Sequence, residues 1–258
     1  MKYSEITIRF CGIAGDGAVS SGKILAGACA KIGLHVMVND IYSAEIRGLG
    51  KSSSTIRFAT SKLHSMGDGL DLLIGMAAKD SIIDLRDIKP GGSVIYDNST
   101  PGSVAEEESL AAHITPEIHG YGLPIKQLAN EASGTNQGKN LVAMGAICYF
   151  YSLPPEMFLD QIKGIFARKG EHTVEVNIKA FHLGYEYFRE NYPINNQFEI
   201  NTGLEPKTLI SGNEALAKGA IDCGLKFFAG YPITPATKIM EIAAKKLPKL
   251  GGWTLQME

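Results

Sequence analysis

The sequence predicts an α/β protein: a Rossmann-like, doubly wound, mainly parallel sheet, followed by an incomplete α/β segment of the thiamine-diphosphate-fold kind. Three observations predict it. Short alternating or fully apolar runs of strand length recur between stretches with helical spacing. A glycine-rich turn joins the first such run to the first helix. Hydrophobic residues make up 45% of the 258, enough to bury a sizeable core.

The elements follow in order. Glu5 to Cys11 alternates Ile6, Ile8 and Phe10 against Thr7 and Arg9, the period of a strand. Gly12, Gly15 and Gly17 make a turn, and Ser20 to Ile32 reads as a helix with Ile24, Leu25, Ala28 and Cys29 on one face. Gly33 stops it, and His35 to Val38 is a second strand. This strand–loop–helix–strand order calls for a right-handed crossover and implies a parallel sheet. Asn39 to Ser54 is irregular and rich in Gly and Ser, and Thr55 to Thr60 is another strand. Leu70–Gly75 and Ser93–Tyr96 are short and apolar, as buried strands are, with helix-like spacing over Asp80–Asp87 between them. Gly120–Ala132 runs from a strand edge into a helix. Asn140–Tyr151 is a strongly apolar helix, and Pro155–Phe166 and Thr173–Arg189 are amphipathic ones.

Asn191 to Pro206 breaks the pattern with four Asn, two Pro and a Gly, and reads as a linker. Residues 1–190 are then one domain, 191–207 the connection, and 208–258 a fresh unit. That unit runs helix (Glu214–Cys223), strand (Lys226–Ala229), loop (Gly230–Pro235), helix (Thr237–Leu247) and strand start (Thr254–Met257). Ending after a strand-like run, it is expected to be the first part of a larger sheet; the bland alternative is a short tail that packs on the main domain.

Composition excludes several classes. The formal net charge of −2 gives no reason to expect a nucleic-acid surface or an anionic-membrane binder. No apolar run approaches the roughly 20 residues that span a bilayer. Cys11, Cys29, Cys148 and Cys223 are scattered, without a CxxC pair, so neither a disulfide scaffold nor a local zinc or iron–sulfur site is expected. No histidine pairs at metal-ligand spacing, and no metal site is expected. A cytoplasmic protein follows as the default.

Four segments carry candidate chemistry. The GxxGxG spacing of Gly12, Gly15 and Gly17 is either a cradle for a cofactor phosphate or a tight turn that needs glycine for steric reasons. Asp16 inside it would repel a phosphate. Arg47, in the loop Glu45–Ser54, suits a carboxylate, a phosphate or a charged subunit contact; the loop is otherwise plain surface. Ser133–Asn140 is a ligand loop or, more simply, a polar connection capping the next helix. In Gly230–Tyr231–Pro232–Ile233–Thr234–Pro235, two prolines fix most of the φ angles, so the Thr234 hydroxyl is held in one direction beside Tyr231; a rigid strand-to-helix connection is the bland alternative.

YPITPAT (Tyr231 to Thr237), within GNEALAKGAIDCGLKFFAGYPITPAT, resembles the opening of the alpha-type domain of 2-oxoacid:ferredoxin oxidoreductases. The strand–GxxGxG–helix start, the Arg47–Gly48 loop with Arg57, and Asn140–Gly145 resemble that family's gamma-type domain. The order gamma then alpha is similar to the fused large subunit of two-subunit members that act on 2-oxoglutarate or on a broad set of 2-oxoacids, pyruvate included. The resemblance implies oxidative decarboxylation of a 2-oxoacid with thiamine diphosphate and coenzyme A, and electrons passed through [4Fe–4S] clusters to ferredoxin. It implies that a beta-type partner subunit holds most of the thiamine diphosphate and a cluster. It further implies that Thr234 hydrogen-bonds the substrate, with Tyr231 and Pro232 shaping the same wall, and that this chain is inactive alone. The gamma-type domain would line the coenzyme A route or chiefly hold the assembly together.

Overall fold

A computed structural model describes residues 2–13, 15–42, 50–99, 109–194, 196–199, 204–233 and 235–257. The chain divides into two compact units, Met1–Lys207 and Thr208–Glu258.

The first unit contains β1 (Lys2–Tyr3), β2 (Glu5–Ile13), α1 (Ala18–Lys31), β3 (His35–Tyr42), β4 (Lys51–Ala59), β5 (Leu70–Gly75), α2 (Ala78–Ile82), β6 (Ile88–Asp97) and β7 (His119–Leu123). It continues with α3 (Ile125–Ser133), α4 (Lys139–Phe150), α5 (Pro155–Phe166), α6 (Glu171–Asn191) and β8 (Gln197–Phe198). Six strands form one sheet in the order β3-β4-β2-β5-β6-β7. β2, β5, β6 and β7 are parallel neighbours.

The expected crossover needs one correction. β4 runs antiparallel to both β2 and β3, so those two strands point the same way without touching. The reason is the connection: residues 43–50 between β3 and β4 are fewer than the roughly dozen a parallel crossover requires, so the two strands must return on each other. β3 also extends to Tyr42 and β4 begins at Lys51, so the irregular stretch expected over 39–54 is strand at both ends, and its residues 43–49 lie outside the described residues. The strand expected at Ser93–Tyr96 likewise extends back to Ile88, and the helix expected at Asp80–Asp87 is a short α2 followed by a 3-10 turn over Ile83–Asp87.

Both faces of the sheet are covered, unequally. The main core joins β2, β4, β5 and β6 to α1, α3, α4, α5 and α6, with Ile8, Phe10, Phe58, Ile74 and Ile95 buried in it. The other face carries a thinner layer, in which Leu73, Val94 and Cys11 meet Leu85 and Leu110. α4 is apolar all round because it is surrounded. Its neighbour α6 approaches to backbone contact: a Cβ added at Gly145 would lie 1.9 Å from the Phe181 carbonyl oxygen, and one at Gly184 would lie 1.9 Å from that of Val142.

Within the stretch expected as a linker, β8 pairs in parallel with β1, and the Phe198 ring lies 5.0 Å from that of Phe58. The Lys207 amide donates to the Ala30 carbonyl at 2.8 Å, and Gly33 leaves room for Leu204. The described parts of 191–207 are therefore laid on the first unit. Apolar side chains among the asparagines anchor them.

The second unit holds α7 (Gly212–Asp222), β9 (Phe227–Gly230), α8 (Thr237–Lys246) and β10 (Trp253–Gln256). Ser211 and Glu214 form a reciprocal capping box at the start of α7. β9 and β10 pair in parallel, with the Phe227 and Trp253 rings 5.1 Å apart on an exposed face. Among the described residues, no helix is long and apolar enough to cross a membrane.

The α4–α6 crossing supplies a test. Gly145→Ala and Gly184→Ala are each expected to cost about 3 kcal/mol or more, since the added methyl meets backbone and not a movable side chain. The double substitution should cost less than the sum, because the first already separates the helices. Urea unfolding midpoints check this; two additive or near-neutral changes would contradict the crossing.

Candidate functional site

The first unit has a cleft of about 740 Å³ where β2 ends and α1 begins. The chain leaves β2 for β3 on one side of the sheet and leaves its parallel neighbour β5 for β6 on the other, so the carboxyl end of β2, where the cleft opens, lies at the topological switch point. Three segments distant in sequence line it: Gly15–Ser20, Ser133–Asn140 and Phe166–Asn177.

Each segment opens a helix from a glycine. Gly17 (φ 85°), Gly138 (φ 90°) and Gly170 (φ 98°) precede α1, α4 and α6, and none of the three helices has a side-chain cap at its N-terminus. The first amides of each are left without an intrahelical acceptor and carry the positive end of the helix dipole. Gly15 also has positive φ, at 96°. Gly12 has a different task. A Cβ there would stand 2.9 Å from the Asp16 Cβ, so glycine at 12 lets Asp16 fold back over the strand end.

Asp16 is 8% exposed and does not point at the cleft as a bare charge. One carboxylate oxygen accepts from the Ile13 amide at 3.2 Å, and the other pairs with the Lys139 ammonium. The repulsion expected of Asp16 is thereby cancelled by a residue more than a hundred positions away. Lys139 is the first residue of α4, where the helix dipole disfavours a cation, and Asp16 offsets that penalty. Asn140 follows, its carboxamide against Gly17 and its side chain in the cleft wall. Lys169, His172 and Thr173 form the remaining polar rim.

The structure thus joins the Gly12–Gly17 turn to the Ser133–Asn140 loop, which the sequence had left as separate segments. Lys139 and Asn140 stood in the sequence reading only as part of the Ser133–Asn140 loop, and the start of α6 had no role in it. Lys139 carried one usable signal, a lysine opening an apolar helix. Arg47 and Thr234 lie outside the described residues. In the second unit, Tyr231 is 58% exposed, and Pro232 is exposed beside it, at the carboxyl end of β9. The turn there is held by the Ile233 amide on the Tyr231 carbonyl at 2.9 Å and by the Asn213 carboxamide on the Pro235 carbonyl at 2.7 Å.

No buried thiol has the environment of a nucleophile. Burial pushes Cys11 up from 9.0 to about 12, and its thiol donates to the Asp80 carbonyl at 3.4 Å. Burial pushes Cys29 and Cys148 higher still. Among the described residues, no three His, Cys, Asp or Glu are grouped so as to hold a metal ion.

The sheet and its crevice define a Rossmann-like α/β protein with a polar cleft at the carboxyl ends of its strands. The family model described as pyruvate ferredoxin/flavodoxin oxidoreductase matches residues 7–187, and the chain belongs to that family. It is 29% identical, over 95% of its length and 41% of the relative's, to the 2-oxoglutarate oxidoreductase subunit KorA of Mycobacterium tuberculosis. Among solved structures it resembles the 2-oxoglutarate:ferredoxin oxidoreductase of Magnetococcus marinus, with 2-oxoglutarate, coenzyme A and succinyl-CoA bound. There the identity is 32%, the TM-score 0.87, and the match covers 99% of this chain and 44% of that one. The gamma subunit of a keto/oxoacid ferredoxin oxidoreductase from Geobacter sulfurreducens shares the fold, at 24% identity and TM-score 0.57, over 71% of this chain and 96% of its own. The chain therefore spans less than half the length of the Mycobacterium tuberculosis and Magnetococcus marinus proteins it matches.

Two outcomes test the site. Lys139→Met leaves the Asp16 carboxylate buried without its partner and should cost about 3 kcal/mol, with Asp16→Asn in the same chain recovering much of it. Thermal unfolding of both variants reads this; equal losses in the single and double variants would show the pair is not coupled. The buried thiols give a pH dependence. They stay protonated in the folded chain while unfolded thiols ionise near 9.0, so stability is full below that pH and falls as pH rises toward about 12. Urea midpoints across this range should decline less steeply in a Cys29→Ala, Cys148→Ala variant, and an unchanged slope would contradict the burial effect.

Proposed function

We propose that this chain is the gamma-type domain (residues 1–190), a connection (191–207) and the first part of the alpha-type domain (208–258) of a 2-oxoacid:ferredoxin oxidoreductase. Its 2-oxoacid is 2-oxoglutarate. The observation that carries the reading is the likeness to the Magnetococcus marinus enzyme across 99% of this chain, through both units. In the proposed reaction, 2-oxoglutarate and coenzyme A become succinyl-CoA and carbon dioxide, and two electrons leave one at a time to ferredoxin.

The cofactors divide by what the residues fit. The cleft suits the phosphates of coenzyme A: three glycine-opened helices present amides to it, Lys139 and Lys169 supply positive charge, and Gly15 and Gly17 let backbone approach closely. The dispersed cysteines, three buried and Cys223 exposed, do not fit an iron–sulfur cluster, which is assigned to a beta-type partner subunit. Thiamine diphosphate, which supplies the ylid for decarboxylation when bound, is assigned largely to that partner too. In this chain, Thr234 would donate a hydrogen bond to the oxoacid from a loop stiffened by Pro232 and Pro235, with Tyr231 forming the adjacent wall. Arg47 would approach an anionic group of substrate or cofactor. The setting is proposed to be the cytoplasm, where unpaired cysteines stay reduced.

The test is 2-oxoglutarate- and coenzyme A-dependent reduction of ferredoxin by the chain, continued to the length of its relatives and assembled with a beta-type partner. Thr234→Ala should lower kcat/KM roughly 10- to 100-fold with the complex intact. No turnover with any 2-oxoacid, from a complex loaded with its cofactors, would reduce the chain to an assembly module.

A further inference from the structure

The stretch that reads as a linker in the sequence is fastened to the first unit at two places. At the first, the Phe198 amide donates to the Tyr151 carbonyl at 3.0 Å and the Glu199 amide to the Tyr3 carbonyl at 2.7 Å. The Phe198 side chain is buried in the main core. Ser152 donates its hydroxyl to the Asn196 carbonyl at 2.7 Å. Among the described residues, Ser152 is the one non-glycine at positive φ, 52°, a left-handed backbone that an L side chain disfavours. The fold therefore bears strain where it grips this segment. At the second place, Leu204 fills the space that Gly33 leaves. The Lys207 amide donates to the Ala30 carbonyl at 2.8 Å, and its ammonium donates to the Gly33 carbonyl. These groups lie at the C-terminus of α1, where the helix dipole favours a cation. The anchoring stops there. Thr208, Leu209 and Ile210 are exposed, belong to no helix or strand, and make no hydrogen bond to a described residue. From Ser211 the chain is fixed again, by the capping box with Glu214.

We infer that Thr208–Ile210 is the pivot between the two units, and that the anchored segments 196–199 and 204–207 are a clasp that travels with the first unit. The pivot is short and stiff. From Lys207 to Ser211 a fully extended chain spans about 14 Å. Pro206 fixes the backbone on its approach, and the β-branched Thr208 and Ile210 favour extended backbone. The second unit is thus free to turn but not to drift away. The far end of the pivot has a consequence for the Tyr231 loop. Asn213, two residues past Ser211, donates to the Pro235 carbonyl at 2.7 Å, so the loop that carries Tyr231 and Pro232 is fastened beside the pivot. Turning about a point moves the nearest parts least, and this loop is held close to the tether whatever the angle of the second unit. The part of that loop in substrate binding rests on the proposed function; the pivot itself does not.

The test uses the whole chain with two spin labels and pulsed electron-spin distance measurement. One label goes on Cys223, which is exposed while Cys11, Cys29 and Cys148 are buried, and the other on Lys62→Cys, an exposed position of the first unit. Inserting Gly-Ser-Gly-Ser between Leu209 and Ile210 should widen the distance distribution by up to about 14 Å, the contour of four residues. The same insertion between Glu205 and Pro206 should leave the distribution unchanged, because Lys207 still holds the chain to α1. Equal widening by both insertions would overturn the inference, since the whole connection would then be flexible. No widening by either would also overturn it, since something other than the tether would then fix the units. Hydrogen exchange on the unmodified chain reads the same point without an insertion. The Phe198, Glu199 and Lys207 amides should be protected, and those of Leu209 and Ile210 should exchange as in an unfolded chain. Unprotected exchange at Lys207, or protection at Leu209 and Ile210, would overturn the assignment. Neither readout uses substrate or cofactor, so its failure is distinct from failure of the proposed reaction.

Discussion

The first unit depends on two helices whose backbones touch. Gly145 and Gly184 bring α4 and α6 closer than any side chain would permit, with carbonyl oxygens of each helix filling the space a methyl would need. Close approach of this kind gains dispersion contacts over the whole crossing and leaves the helices one register. That register has a consequence at the far end. The start of α4 and the first two turns of α6 both border the cleft, so the crossing fixes where Lys139, Asn140, His172 and Thr173 stand.

Electrostatics then completes what packing begins. α1 and α4 both start at glycines, and both point positive helix ends into one space. Two like poles brought together repel, and a lysine at the start of α4 adds to the repulsion. Asp16 answers that charge from within the first glycine turn. The carboxylate that looked hostile to an anionic ligand is, in three dimensions, what keeps a cation beside it. A second buried network acts on the opposite face, where Asp84 accepts from Arg9 at 3.2 Å and from Lys51 at 2.7 Å, tying β2 and β4 to the turn after α2. It stiffens the sheet at the strand that bears the cleft.

The second unit is built differently. Its two parallel strands carry helices on one side and exposed Phe227, Ala229, Trp253 and Leu255 on the other. Its loop at Tyr231 is fixed by prolines and by Asn213. Backbone restriction, more than burial, sets its shape.

Much of the fold was legible in the sequence by itself. Strand and helix periods located β5 and α5 at their observed bounds, the glycine turn located the junction of β2 and α1, and YPITPAT located the family. These features are local: side-chain alternation, glycine's access to positive φ and proline's fixed φ act within a few residues. The sequence also placed the glycine turn among the candidate sites. Only the tertiary structure decided that β4 lies between β2 and β3, that the described parts of 191–207 are laid on the first unit, and that Asp16 meets Lys139 beside Asn140 in the cleft wall. Each of these depends on which distant segment occupies a neighbouring position, a matter of packing and charge across the fold that no periodicity in the chain encodes.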